Sequence, residues 1–172
     1  MANQSAAKLK ELVITREFDA PRERVWKAWT DPEMVKRWWG PEGFTAPSIM
    51  IDLRVGGRYI FAMQGPPGSE LEVVGYNAGV FKEVVPNAKL VLTIYMSDKD
   101  GKMVDPTEYG MEPEFTKEGF YTVLFEDIGR GRTRLSLVFP KPESEAEYQA
   151  ILKSGMEEGW KSQLNKLAEA LR

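Results

Sequence analysis

The spacing of apolar residues in the C-terminal segment 142–172 is that of an α-helix. Apolar side chains recur there every three or four positions, which places them on one helix face. They are Tyr148, Ile151, Leu152, Met156, Trp160, Leu164, Leu167 and Leu171. Ser144 is followed one helical turn later by Glu147, a capping-box pattern that is typical of a helix start. The sequence therefore predicts one continuous helix from about Ser144 to Leu171.

Two glycines, Gly155 and Gly159, fall on the apolar face of this predicted helix, one turn apart. A glycine in a helix interior is destabilising by about 1 kcal/mol relative to alanine. Their position predicts a groove without side chains beside Trp160, where backbone, an aromatic ring or a ligand approaches closely. We expect the ligand groove at Gly155 and close packing at Gly159.

The preceding residues predict one strand, two short helices and a run of further strands. Alternating polarity predicts the first strand over 8–19. Ala20-Pro21 and Asp31-Pro32 are typical helix starts, and the second helix is predicted to reach Trp38-Trp39. The further strands are predicted over 48–53, 58–64, 70–76, 79–85, 89–96, 119–127 and 132–139, with a break or bulge at Asn77-Ala78. Antiparallel strands with segregated helices are typical of an α+β fold.

The segment 97–118, which joins two of these strands, is a polar loop. Loops longer than about 12–15 residues are more often functional or disordered than simple connections. One interpretation makes this long loop a lid, with Tyr109 and Met111 at the mouth of a cavity. The alternatives are a surface insertion and a subunit contact, and the protein is expected to be a monomer or a homodimer.

Composition limits the chemistry that the chain can perform. The sequence contains no cysteine and no histidine, which excludes disulfides, thiolate nucleophiles and zinc–thiolate sites. Histidine is also the usual general base near neutral pH and the commonest metal ligand. Any catalysis would therefore rest on Asp, Glu, Tyr, Lys or Arg, and no motif has the spacing of a nucleophile or a metal site. We expect no catalytic residue, no metal and no cofactor.

Length and charge limit the class of protein. A chain of 172 residues with 42% hydrophobic and 28% charged residues is typical of one globular domain, expected over 1–172 with its core at 10–171. The net charge of −3, without a basic block, argues against a nucleic-acid partner. No apolar run approaches the ~20 residues of a membrane span, and the N-terminus lacks an apolar signal-peptide core. We therefore expect a cytoplasmic protein without a membrane partner.

Aromatic and methionine residues in the predicted strands and helix are candidates for an apolar pocket. The candidates are Tyr59, Phe61, Met63, Tyr95, Phe120 and Met156. Pockets for small molecules are mostly apolar, but an aromatic-rich core has the same composition. For Trp38-Trp39 we expect a mainly structural role. The functional alternative has one ring buried and the other at a cavity mouth, since neighbouring residues on a helix point about 100° apart. Arg54 is expected in a surface ion pair rather than at an anion site.

Several short motifs follow one another along residues 10–171. They are Ala20-Pro21 with Val25-Trp26, Thr30-Asp31-Pro32, Trp38-Trp39-Gly40-Pro41, Asp52-Leu53-Arg54 with Gly56-Gly57, and Gly159-Trp160 with Leu164. In this order and spacing they resemble the bacterial family similar to the C-terminal domain of the activator of the heat-shock chaperone ATPase. That family belongs to the START-like, helix-grip superfamily. The resemblance implies an α+β helix-grip fold, in which a curved antiparallel sheet of about six to seven strands surrounds a long C-terminal helix, with two short helices after the first strand and a cavity between sheet and helix.

The resemblance favours binding of a small, largely apolar or aromatic molecule in that cavity. The residues expected to bind it are Trp39, Tyr59, Phe61, Met63, Tyr95, Tyr109, Met111, Phe120, Gly155, Met156 and Trp160. One alternative is a cyclase- or hydrolase-like enzyme that uses Tyr, Asp or Arg in the cavity, since this fold hosts several activities. A second alternative is a chaperone-associated protein–protein module of the stress response, which only the name of the family suggests. An ionisable side chain in the cavity would favour the enzyme, and a large apolar patch on the outer sheet face would favour the module.

Overall fold

The computed structural model describes residues 9–172, which form one antiparallel sheet and four α-helices. The strands are β1 (Leu12–Phe18), β2 (Ile49–Ile51), β3 (Arg58–Gln64), β4 (Val74–Val85), β5 (Lys89–Ser97), β6 (Glu118–Gly129) and β7 (Arg132–Phe139). The helices are α1 (Arg22–Thr30), α2 (Pro32–Val35), α3 (Glu145–Ser154) and α4 (Met156–Ala170), with a short 3₁₀ helix at Pro106–Tyr109. The strand order is β1-β7-β6-β5-β4-β3-β2. The predicted α+β, START-like fold is confirmed.

The strands agree with the predicted ones except in the middle of the sheet. The predicted strand 70–76 begins only at Val74, because residues 70–73 belong to a turn in which the Glu72 N–H donates to the Ser69 carbonyl. It continues into the predicted strand 79–85 as the single strand β4, and no break occurs at Asn77-Ala78. The break was wrongly predicted because Asn77 and Ala78 pair in register with Met96 and Tyr95 of β5, so the hydrogen-bonded ladder continues through them. The register shifts instead between Phe81 and Glu83. The first strand begins at Leu12, and Lys8 lies outside the described residues.

The two short helices begin where the sequence predicted and the second ends earlier. Asp31 caps α2 through its side chain, which accepts a hydrogen bond from the Glu33 backbone N–H at 3.0 Å. Helix α2 ends at Val35, and Trp38 lies in the turn that follows rather than in a helix. This turn places the two neighbouring tryptophans in the core instead of along a helix surface.

The prediction of one continuous C-terminal helix is wrong, because Gly155 separates α3 from α4. Gly155 has a left-handed backbone with φ of 71°, and its N–H donates to the Leu152 carbonyl at 3.3 Å. A glycine in this conformation is a common helix C-cap, since a side chain there would meet the backbone. The start of α3 is as predicted, with the Ser144 hydroxyl accepting from the Glu147 N–H at 3.1 Å. The chain therefore changes direction at Gly155 instead of carrying a side-chain-free groove through a helix.

The core lies between the inner face of the sheet and helices α1 and α4. Alternate residues of the strands point inwards, and every third or fourth residue of α4 meets them. The buried residues at this interface include Ile14, Phe18, Val25, Trp29, Leu92, Tyr121, Val123, Phe125, Leu135, Leu137, Trp160, Leu164 and Leu167. Apolar packing over this whole interface holds α4 against the sheet. Helix α3 contributes one buried residue, Ala150, and so packs far less closely.

Candidate functional site

A cavity of about 1010 Å³ lies between the sheet, helices α3 and α4, and the long loop 97–118. Its walls are mainly apolar, and its volume is in the upper range for small-molecule sites. Apolar side chains that border it are Trp39, Met63, Ile94, Met96, Met111, Phe115, Phe139, Ile151, Met156 and Trp160. Methionine is prominent in this set, and its flexible thioether adapts to ligands of different shape.

Trp160 of α4 joins the cavity to the aromatic core. Its ring lies nearly parallel to that of Trp29, with centroids 6.0 Å apart. It meets Trp39 edge-on at 5.4 Å and Tyr121 at 5.6 Å. Phe139 is 6.0 Å away on the remaining side. Contacts with four rings fix the orientation of Trp160, so this wall of the cavity is preorganised.

The neighbouring tryptophans Trp38 and Trp39 have different surroundings. Trp38 is fully buried, and its indole N–H donates to the Ala28 carbonyl at 2.8 Å. Trp39 borders the cavity and packs edge-on against Phe61 at 4.8 Å. Its indole nitrogen has no hydrogen-bond partner among residues 9–172. Trp38 therefore serves packing, while Trp39 belongs to both the core and the cavity wall.

Two neutral amide side chains border this apolar cavity. Gln163 of α4 is buried, and its Oε1 accepts a hydrogen bond from the Gly40 N–H at 2.6 Å. Asn77 of β4 is half-buried and pairs across the sheet with Phe61 and Met96. Sequence reasoning missed both residues. The signal for Gln163 was its place one turn after Trp160, which puts the two side chains on the same helix face.

The segment 40–44, which contributes Pro41 to the cavity, is held by side chains of α4. Lys166 Nζ donates to the carbonyls of Gly40 at 2.9 Å and Phe44 at 3.0 Å. Burial lowers the pKa of this lysine from its ordinary value. Together with Gln163, Lys166 fixes the peptide at Gly40 on both its N–H and carbonyl sides. The position of the cavity wall next to Trp39 is thus set by two side chains from α4.

The long loop and α3 form the more exposed side of the cavity. The Thr116 hydroxyl donates to the Glu147 carboxylate, whose other oxygen accepts from the Glu143 N–H at 2.7 Å. Met111 and Phe115 of the loop border the cavity, as does Ile151 of α3. This hydrogen bond joins two segments that cover the cavity, and the ion pair between Lys153 and Glu112, 3.8 Å long, is a second link between them.

The structure brings together most of the sequence-predicted site residues. Trp39, Met63, Met111, Gly155, Met156 and Trp160 all border the cavity. Tyr95 and Phe120 border it too, but on strand positions that alternate with the inward residues Ile94 and Tyr121. The Tyr95 hydroxyl donates to the Gly101 carbonyl at 2.9 Å, and the Phe120 side chain is half exposed.

Three predicted site residues do not border the cavity. Tyr59 is fully buried and donates to the Thr93 carbonyl at 2.7 Å, and Phe61 packs beside it at 4.7 Å. Tyr109 lies over Gly75 and donates to the Ser97 carbonyl at 2.7 Å. The loop thus reaches the cavity through Met111 and not through Tyr109. These residues were predicted to line a pocket because the cores and the ligand pockets of proteins contain the same apolar and aromatic residue types.

The described residues offer little for acid–base or metal chemistry. No group of three or more Asp and Glu side chains within 9–172 is placed to hold a metal ion. Burial raises the pKa of Tyr59 and of Tyr121, so both hydroxyls stay protonated near neutral pH. Arg54 pairs with Asp52 at 2.9 Å on the surface, as predicted.

Fold and cavity together define an α+β protein of the START-like, helix-grip class. Residues 19–172 match the family described as "Activator of Hsp90 ATPase homolog 1-like protein", and the chain belongs to this family. The match covers all the strands but β1 and all four helices. The predicted resemblance is thereby confirmed.

Solved structures of bacterial proteins share this fold over nearly the whole chain. A solution structure of a protein from Arthrobacter aurescens is 28% identical, covers 95% of this chain and 87% of its own, and has a TM-score of 0.78. A crystal structure from Mycobacterium smegmatis is 26% identical, with 95% and 91% coverage and a TM-score of 0.75. One from Nitrosomonas europaea is 25% identical, with 96% and 95% coverage and a TM-score of 0.69.

Two further findings concern relatives and membranes. No curated protein matches the chain. None of the helices in residues 9–172 has the length and apolar character needed to cross a bilayer.

Proposed function

We propose that this protein binds a small, largely apolar or aromatic molecule in the cavity between the sheet, α3 and α4. The observation that carries the proposal is the cavity itself, about 1010 Å³ in volume and bordered by Trp39, Trp160 and several methionines. The cavity is open to solvent on one side, so an apolar ligand that enters it removes its own surface and the apolar walls from water. Membership of a fold family that commonly binds hydrophobic ligands supports the same conclusion.

The enzyme alternative has less support from the residues that border the cavity. Its interior side contains amides, aromatic rings and thioethers, whereas the charged residues Glu114, Lys117 and Glu143 are exposed. The half-buried Glu147 also borders the cavity, but both of its carboxylate oxygens already accept hydrogen bonds, from the Thr116 hydroxyl and the Glu143 N–H. A general base needs an ionisable group within reach of a bound substrate.

The protein–protein alternative also has less support. Exposed apolar residues on the outer sheet face, such as Phe120 and Leu124, pair with Thr93 and Ser136. This mixture of apolar and hydroxyl side chains differs from the continuous apolar patch of a stable interface.

A matched pair of tryptophan substitutions on α3 tests the proposal. Ile151 borders the cavity, while the next residue, Leu152, is half exposed and points away from it. Fluorescence titration with the neutral naphthyl ketone Prodan should show saturable binding to the wild-type protein. Ile151→Trp should fill part of the cavity and raise the Kd of Prodan about tenfold, because the larger ring covers apolar wall that the probe would otherwise contact. Leu152→Trp should leave the Kd of Prodan unchanged.

Native mass spectrometry of protein purified from its own host complements this titration. A co-purified small molecule, lost in Ile151→Trp and retained in Leu152→Trp, would identify the natural ligand. Equal Prodan binding by the two variants would overturn the proposed location of the site.

A further inference from the structure

The buried side chain of Gln163 presents a hydrogen-bond donor without a protein partner. Its amide orientation is fixed, because the Gly40 N–H donates to it at 2.6 Å and only the amide oxygen can accept. The Nε2 group is therefore the other terminus, and Gln163 makes its one side-chain hydrogen bond within residues 9–172 through Oε1. Gln163 as a whole is only 5% exposed and borders the cavity, but Nε2 is not one of the fully buried atoms without a partner. This donor is therefore accessible from the cavity, where a ligand or water can accept its hydrogen bond.

Asn77 is a second amide that borders the same cavity. Its position on β4 is inward, because it pairs with the buried Phe61 and with Met96. Two residues earlier on β4, Gly75 pairs with Met63, and the Met63 side chain packs against Gly40. The same Gly40 is the hydrogen-bond partner of Gln163. Asn77 thus reaches the cavity from the sheet and Gln163 from α4, with Met63 and Gly40 between the two elements.

The charges around the cavity belong to the side formed by the long loop and α3. Glu114, Lys117, Glu118, Lys141 and Glu143 are exposed to solvent there, and the half-buried carboxylate of Glu147 is bound by the Thr116 hydroxyl and the Glu143 N–H. Close to Gln163 the bordering side chains are Trp39, Met63 and Trp160, none of which carries a charge. The nearby Lys166 does not border the cavity, and its ammonium is bound by the Gly40 and Phe44 carbonyls. An ionised ligand group buried among these residues would therefore lose its hydration without direct contact with a counter-ion. The amide end of the cavity therefore favours an uncharged group.

We propose that the cavity selects neutral, mainly apolar molecules that carry a hydrogen-bond acceptor, such as the carbonyl of a ketone, an ester or an amide. Gln163 Nε2 donates to this acceptor, and Asn77 makes the second polar contact. The aromatic and methionine walls bind the apolar body of the same molecule. This inference rests on the proposed function, because it assigns the polar specificity of that same binding site.

The test compares two probes that differ only in the acceptor. One is Prodan, whose emission moves to longer wavelength when its ketone accepts hydrogen bonds. The other is the analogue in which the ketone is reduced to a methylene, leaving a propyl chain. Both are titrated into the full-length protein and into Gln163→Met, which keeps the length of the side chain and removes the amide. Asn77→Leu, at a half-exposed strand position, provides a second variant should Gln163→Met fail to fold.

Loss of the donor should affect one probe and not the other. In Gln163→Met the Kd of Prodan should rise about threefold to tenfold, the range for one neutral hydrogen bond, and its emission should move to shorter wavelength. The Kd of the propyl analogue should change less than about twofold, since its binding rests on apolar contact. Asn77→Leu should also raise the Kd of Prodan relative to the Kd of the propyl analogue.

The control removes a different hydrogen bond between α4 and the same segment. Ser162 accepts from the Glu42 N–H at 2.8 Å and does not border the cavity, so Ser162→Ala should leave the ratio of Kd values unchanged. If both probes bind and neither Gln163→Met nor Asn77→Leu changes their ratio, the amide inference is overturned and the proposed function stands. If neither probe binds to the wild-type protein, the proposed function fails and this inference with it.

Discussion

The Thr116 hydroxyl donates a hydrogen bond to the Glu147 carboxylate and so joins the long loop to α3. The two segments cover the exposed side of the cavity, and α3 buries little else against the rest of the protein. Because Gly155 ends α3 with a left-handed backbone, α3 is a separate element from α4. Ligand entry should therefore depend on opening the cover formed by α3 and the loop.

We predict that Thr116→Val speeds ligand release. The substitution keeps the shape of the side chain and removes the donor to Glu147. Release of Prodan, measured by stopped-flow displacement, should become about twofold to tenfold faster, the range for one net hydrogen bond. Thr107→Val, which removes a hydroxyl that bonds Asp105 in the same loop, is the control. Equal release rates for Thr116→Val and the wild-type protein would contradict a role of this contact in closing the cavity.

We predict opposite effects of alanine at the two glycines of the C-terminal helices. A Cβ atom at Gly155 would contact no other part of the structure, so the cost of Gly155→Ala comes only from the left-handed backbone, with φ of 71°. This cost should be about 1–2 kcal/mol. Gly159 lies inside α4, where a Cβ atom would rest 3.8 Å from Pro41 Cγ, and Gly159→Ala should stabilise by about 1 kcal/mol. Thermal melts should shift by about 2–4 °C per kcal/mol in a domain of this size. Stabilisation by Gly155→Ala would show that the break between α3 and α4 is not needed.

We predict that the two neighbouring tryptophans separate stability from binding. Trp38→Phe removes the hydrogen bond to Ala28 and leaves a gap in the core, so the free energy of unfolding should fall by about 2–3 kcal/mol. Because Trp38 does not border the cavity, the Kd of Prodan should stay nearly constant. Trp39→Phe loses no protein hydrogen bond, should cost less stability and should weaken Prodan binding. Urea unfolding and probe titration of both variants check this, and a larger binding defect for Trp38→Phe would be against it.

We predict that Asp98 makes the stability of the protein depend on pH in the acid range. Hydrogen bonds from the backbone N–H groups of Lys102 and Asp100, each 2.9 Å long, hold the pKa of Asp98 below its ordinary value. A carboxylate whose pKa is lowered by folding contributes stability above its unfolded pKa of about 3.9, and this contribution is lost as the pH falls through the folded pKa. Asp98→Asn keeps an oxygen acceptor but does not titrate. Its stability deficit should be present near neutral pH and should disappear in acid.

Denaturant titrations at several pH values measure this difference. Asp100→Asn, which removes a carboxylate of the same turn that accepts no backbone hydrogen bond, is the control. A deficit of Asp98→Asn that stays constant from neutral to acid pH would show that the charge of Asp98 contributes nothing to stability.

Local patterns in the sequence determined the elements of this protein. The strands β3 and β7 were predicted with the bounds that the structure has, because β-forming residues bounded by glycines and turn residues are a signal carried by neighbouring residues alone. Asp31 and Ser144 predicted helix starts correctly, since a cap needs only its own next turn. At Gly155 the local information was also present, as glycine is the usual C-cap. The apolar period that continues into α4 outweighed it in the prediction.

Only the tertiary structure decided which aromatic residues pack in the core and which border the cavity. Tyr59 and Met63 share one face of β3, yet Tyr59 is covered by neighbouring strands while Met63 reaches the cavity. The difference arises from how α4 and the segment 40–44 lie over the sheet, which depends on contacts between residues far apart in sequence. The tertiary structure also decided the orientation of the Gln163 amide, because the Gly40 N–H donates to its oxygen. Helix periodicity cannot predict a hydrogen-bond partner that is so distant along the chain.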